Sequence, residues 1–99
     1  MIGFYTKFTT KEGDRDALIE LLLQAAAPMD TVQGSRMYIV NKDMKDASAT
    51  WVTEIWDSSE AHAASLGTEG AKELIGKAML LLTARPEQIQ LLPIGGKGI

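Results

Sequence analysis

Cysteine is absent from this 99-residue chain, which excludes disulfides, thiolate metal sites and a cysteine nucleophile, and fits a reducing compartment. Histidine occurs once, so any metal site would have to be completed by carboxylates, and no metal is expected. Positive charge is in no excess. Lys and Arg number 10 against 13 Asp and Glu, a net charge of −3, with no basic stripe to follow phosphates, so nucleic acid is not an expected partner. No apolar run approaches the roughly 20 residues that cross a bilayer. The opening "MIGFYTKFTT" lacks the basic flank and apolar stretch of a secretory signal. The chain therefore reads as one small soluble, cytoplasmic domain spanning residues 1–99, with no membrane association. GxGxxG, Walker and GxSxG motifs are also missing, and "GGKG" near the end is followed by no helix that could present its amino terminus to a phosphate.

What is present is a succession of short periodic segments. Met1 to Thr9 alternates, with Ile2, Phe4 and Phe8 on one side and Tyr5, Lys7 and Thr9 on the other, as a strand does. After a turn over Thr10–Gly13, Asp14 is placed to cap a helix that runs to about Ala27, before Pro28. Leu18, Leu21, Leu22 and Ala25 form its apolar stripe, widened by Ile19, Leu23 and Ala26. "RMYIVN" and "TWVTEIW", joined by the polar "KDMKDASA", predict a hairpin. Asp57 and Glu60 have capping-box spacing, so a helix should begin near Ser58 and carry Ala61, His62, Ser65 and Leu66. Gly67 and Gly70 bracket a break, Thr68 caps a further helical piece ended by Pro86, and "EQIQLLPI" supplies a last strand before the glycine-rich tail Gly95–Ile99.

The order strand, helix, strand, strand, helix, strand is that of a ferredoxin-like α+β fold, βαββαβ, with an antiparallel sheet and its helices on one face. Trp51 and Ile55 point one way from the third strand while Val52 and Trp56 point the other, so both sheet faces are apolar. A sheet covered on one side only would carry a polar outer face, and the economical explanation is a homodimer.

His62 stands out because histidine alone has an unperturbed pKa near neutrality; it is either a packing residue or a base. Glu54, between Val52 and Trp56, requires a partner or a proton if its face is buried, and is either ion-paired with Arg36 or Lys7 or a second candidate base. Tyr5, Tyr38, Trp51 and Trp56 are the wide aromatic surfaces, serving as core or as walls for a flat ligand.

The segments "GFYTKFTTKEGDRDALIELLLQAA", "GSRMYIV" and above all "WVTEIWDSSEAHAASL", a strand ending Glu-x-Trp followed by a helix opening Glu-Ala, resemble the antibiotic biosynthesis monooxygenase family. That resemblance covers nearly the whole chain and implies a dimeric α+β barrel with a pocket in each subunit between sheet and helices. It also implies oxidation of a quinol or polycyclic phenol by dioxygen, without flavin, metal or other cofactor. The histidine of familiar members corresponds here to Ser65, one turn after His62. Haem-degrading relatives carry an asparagine on the first strand and a tryptophan and histidine on the second helix, whereas this chain has Thr6 and neither of the others after Ser65, which disfavours haem breakdown. The expectation is a homodimer acting on an aromatic small molecule and dioxygen. His62 is the first candidate base and Glu54 the second; Trp51 or Trp56, with Tyr5 and Tyr38, holds the ring, and Ser65 binds a carbonyl or phenolate. A non-catalytic dimer that binds an aromatic molecule is the alternative.

Overall fold

The computed structural model describes all residues 1–99 and assembles four strands into one antiparallel sheet. β1 (Ile2–Thr9), β2 (Ser35–Lys42), β3 (Ala49–Trp56) and β4 (Glu87–Leu91) lie in the order β2-β3-β1-β4. The helices are α1 (Arg15–Ala26), α2 (Ser59–Leu66) and α3 (Glu69–Met79), with short 3-10 turns at Glu12–Asp14 and Ala27–Thr31. This is the ferredoxin-like α+β arrangement, its second helix divided at Gly67 as the sequence predicts. No helix is long and apolar enough to cross a membrane.

Strand alternation sorts the side chains into two layers. On the helix side, Tyr38, Glu54, Phe4 and Gln90 form one row across the sheet, and Val40, Val52, Thr6 and Gln88 form the next. Leu18 and Leu22 of α1 pack with Val52, and Phe8, Tyr38, Val40, Ala78, Leu81 and Leu82 complete that core. On the opposite side lie Tyr5, Trp51, Ile55, Ile39 and Ile89, the last two 45% and 53% exposed.

Several local expectations need correction. Asp14 makes no capping hydrogen bond, because the 3-10 turn before α1 already holds it in a helical conformation. Helical geometry continues past Ala27 through Pro28 as a 3-10 turn, where proline sits in the first positions and no donor is missed. Leu23 is 52% exposed, one residue beyond Leu22 and therefore swung about 100° off the buried stripe. The cap of α2 is Ser58, whose Oγ accepts from the Ala61 amide at 3.1 Å, whereas Asp57 pairs with Arg36 of β2. Thr68 caps α3 as expected, accepting from the Ala71 amide at 3.2 Å.

Gly34 fixes where α2 lands. Its φ of +89° lies in the region that favours glycine, its carbonyl accepts from the Asp57 amide at 2.8 Å, and a Cβ there would stand 2.6 Å from the Cβ of Ala61. Gly34→Ala is accordingly expected to destabilise the fold by about 1–3 kcal/mol in urea denaturation, strain and overpacking acting together. Ala61→Gly in the same background should recover the overpacking part but not the strain.

Candidate functional site

Between the inner sheet face and the helices lies a cavity of about 540 Å³. It falls within the roughly 300–1,000 Å³ usual for small-molecule sites. Its walls are mostly apolar, with Leu22, Leu74 and Ala78 among them. The polar groups are few: Thr6, Tyr38, Glu54 and Gln88 from the sheet, His62, Ser65 and Thr68 from the helical side, and Gln24 of α1.

The most developed cluster surrounds Glu54. Its carboxylate oxygen Oε1 accepts from Trp56 Nε1 at 3.0 Å and lies 3.8 Å from His62 Nε2. Residues 54 and 56 are two apart on β3 and so share a face, and Trp56 is fully buried, which locks the carboxyl in place. The His62 ring stacks on Phe4, centroids 4.0 Å apart, and meets Trp56 edge-on at 5.6 Å. The imidazole is thereby clamped by two aromatic rings while one nitrogen faces a carboxylate.

Burial acts on both ionisable groups. It raises the Glu54 pKa above its ordinary 4.5, opposed by the Trp56 N–H, which favours the anion. It lowers that of His62 below 6.5, so the imidazole is neutral at pH 7 and free to accept a proton. An imidazolium formed there has a carboxylate within reach. Tyr38, the cross-strand neighbour of Glu54, has its hydroxyl pKa raised by burial and then by the Glu54 charge, and stays protonated as a hydrogen-bond donor.

The sequence-predicted residues divide accordingly. His62, Glu54, Tyr38 and Ser65 meet at the cavity. Tyr5 and Trp51 do not, because alternation puts both on the opposite sheet face, where the Trp51 indole donates to Asp43 Oδ2 at 3.0 Å. Trp56 lies beneath the site, supporting Glu54 and His62 without lining the cavity. Ser65 spends its hydroxyl hydrogen on the His62 carbonyl at 2.6 Å, so toward a ligand it offers an acceptor, and the expected donation to a carbonyl or phenolate is corrected. The anticipated pairing of Glu54 with Arg36 or Lys7 is replaced as well: Arg36 takes Asp57, and Lys7 lies 3.9 Å from Glu87 on the outer face. Phe4, Thr6 and Gln88 were not anticipated as site residues. The alternation of β1 already placed Phe4 on the inner side, but its meeting with His62 depends on how α2 docks. Three or more His, Cys, Asp or Glu side chains converge nowhere in the structure.

The family model for antibiotic biosynthesis monooxygenases matches residues 1–77. The chain belongs to that family. A crystal structure from Chloroflexus aurantiacus that goes by the same family name is 39% identical, covering 99% of this chain and 97% of its own, with a TM-score of 0.87. Rv0793 from Mycobacterium tuberculosis (21% identical, TM-score 0.85, 97% of each chain) shares the fold. So does PA3566 from Pseudomonas aeruginosa (21%, 0.83, 95% of this chain and 94% of its own). No curated protein matches the chain. The family is typically monooxygenase-like, and its proteins are generally small-molecule binders, often dimeric.

The raised Glu54 pKa carries a stability consequence. A folded pKa above the unfolded one favours folding below 4.5, and that contribution is lost as pH rises through the folded value. Glu54→Gln keeps an oxygen for Trp56 Nε1 and removes the buried charge, so at pH 7 its Tm should exceed that of wild type. The gap should narrow as pH falls toward 4.5, as followed by calorimetry across pH.

Proposed function

We propose that the protein is a cofactor-independent monooxygenase that oxidises a quinol or polycyclic phenol with dioxygen. The observation that carries this reading is the neutral His62 imidazole on the wall of an apolar cavity, held by Phe4 and Trp56 and backed by the Glu54 carboxylate at 3.8 Å. That is the arrangement of a general base whose conjugate acid has a stabilising partner.

In this mechanism the His62 imidazole takes the phenolic proton, and the resulting imidazolium is stabilised by Glu54. The phenolate is electron-rich enough to pass an electron to dioxygen, and recombination at the ring carbon para to the oxygen forms a carbon–oxygen bond. The imidazolium returns its proton to the peroxide so formed, and the hydroperoxide gives up the hydrogen on that carbon and expels water, leaving a quinone: one phenol and one dioxygen become one quinone and one water. Tyr38, protonated and beside Glu54, donates to the ring oxygen, and the apolar remainder of the cavity keeps bulk water from the reactive anion.

The working unit in this proposal is a homodimer. Tyr5, Trp51, Ile39 and Ile89 give the outer sheet face an apolar character that isolated domains rarely leave in water. A second sheet packed there would complete an α+β barrel. Light scattering at micromolar concentration should return twice the chain mass, and Ile39→Glu should return the chain mass; a monomeric wild type overturns the dimer.

Oxygen uptake with a panel of quinols and anthrone-like phenols, in buffer containing a chelator, tests the chemistry. His62→Ala should lower kcat/KM by about 10²- to 10⁴-fold. Because burial lowers the His62 pKa, wild-type kcat/KM should fall on the acid side with a midpoint below histidine's ordinary 6.5, as the imidazole protonates. Uptake unaffected by His62→Ala removes the base assignment. Binding without uptake across the panel favours a non-catalytic aromatic-binding protein.

A further inference from the structure

One row along the sheet from Glu54, the cavity wall carries a second polar group that the chemistry above leaves unused. Thr6 and Gln88 are directly paired across β1 and β4, and Gln88 Nε2 donates to Thr6 Oγ1 at 3.1 Å. Gln90 Nε2 in turn approaches Gln88 Oε1 at 3.4 Å, a contact that runs in the same direction. The relay ends at the Thr6 hydroxyl, whose oxygen has accepted and whose own hydrogen has no acceptor in the protein. Thr6 is only 5% exposed, yet it lines the cavity, as does Gln88. A largely buried hydroxyl is costly unless the contents of the cavity accept its hydrogen. The same row continues with Val52 and Val40, and an apolar pair at 6 and 88 would extend that surface without the cost.

Thr6 stands two residues along β1 from Phe4, on which His62 stacks. Two residues of strand separate side chains by roughly 7 Å. The Thr6–Gln88 row is therefore offset by about one fused-ring length along the sheet from the Phe4–Glu54 row over which His62 packs. We propose that Thr6 and Gln88 form a selectivity site for a hydrogen-bond-accepting oxygen, a ketone or quinone carbonyl, on the part of the ligand remote from the phenol at His62. The inference rests on the reading of the cavity as a phenol site. It adds that the preferred phenols carry a carbonyl on a different ring, held by the Thr6 hydroxyl with Gln88 fixing the direction of its hydrogen.

Titration calorimetry on the full chain with two probes separates these statements. One is a hydroxytetralone with its phenol and ketone on different rings; the other is the tetrahydronaphthol that lacks the ketone. Wild type should bind the hydroxytetralone about three- to tenfold more tightly, the yield of one net hydrogen bond. Thr6→Val, of the same shape but without the hydroxyl, should bring the ratio of dissociation constants to about one. Gln88→Leu, on the exposed edge strand and so benign to folding, should give an intermediate ratio. A wild-type ratio near one, or a ratio unmoved by both variants, overturns the selectivity site while leaving the phenol site standing. Failure of both probes to bind overturns the phenol site and the inference with it.

Discussion

The inner row of β3 governs the rest of this molecule. Thr50, Val52, Glu54 and Trp56 all point toward the helices because a strand alternates with period two, and from that one constraint the core, the buried carboxyl and its indole partner follow. Val52 anchors the helix layer through Leu18 and Leu22, and Glu54 opens onto the cavity. A slip of one residue would send Trp51 and Ile55 inward and turn the carboxyl out to the opposite face. The depth of the apolar cluster and the placement of the polar one thus share a single origin.

Around that row the helical side is positioned by small residues and caps more than by large ones. Ser58, two residues past the end of β3, caps the start of α2, and Gly34 allows the beginning of β2 to lie against Ala61. With α2 so placed, His62 falls between Phe4 and Trp56, where burial keeps it neutral. Its electrostatic environment is therefore a result of packing geometry, and Glu54 supplies the one group of opposite sign beside it.

Most of the fold was legible in the residues. The alternation in β1 and β3, the hairpin with its polar loop, the break at Gly67 and the Thr68 cap all lie within windows of a few residues, where local physics decides. What depends on distant parts of the chain was less accessible. Asp57 has capping-box spacing, but its carboxylate is drawn off by Arg36 of the neighbouring strand, twenty-one residues away in sequence, so Ser58 caps instead. Tyr5 and Trp51 look like ligand walls from composition, yet the face each takes follows from register with a strand far along the chain. The convergence of His62 and Glu54 was legible as residue types in one short segment. The contribution of Thr6 and Gln88 was not, since eighty-two residues separate the pair and only the closing of β4 against β1 brings them together.

The position of β4 has a bearing on how this scaffold diversifies. It is the edge of the sheet, with every residue exposed, whereas β3 is central and almost wholly buried. Changes at the β3 end of the cavity reach the core at once and are purged by loss of folding. A change at Gln88, the β4 residue that lines the cavity, reaches the cavity and solvent, and an edge strand absorbs it with little effect on the domain. One end of the same pocket is tied to the stability of the domain and the other is not, so a substitution on the edge strand can alter what the cavity accepts and leave the chemistry at β3 in place.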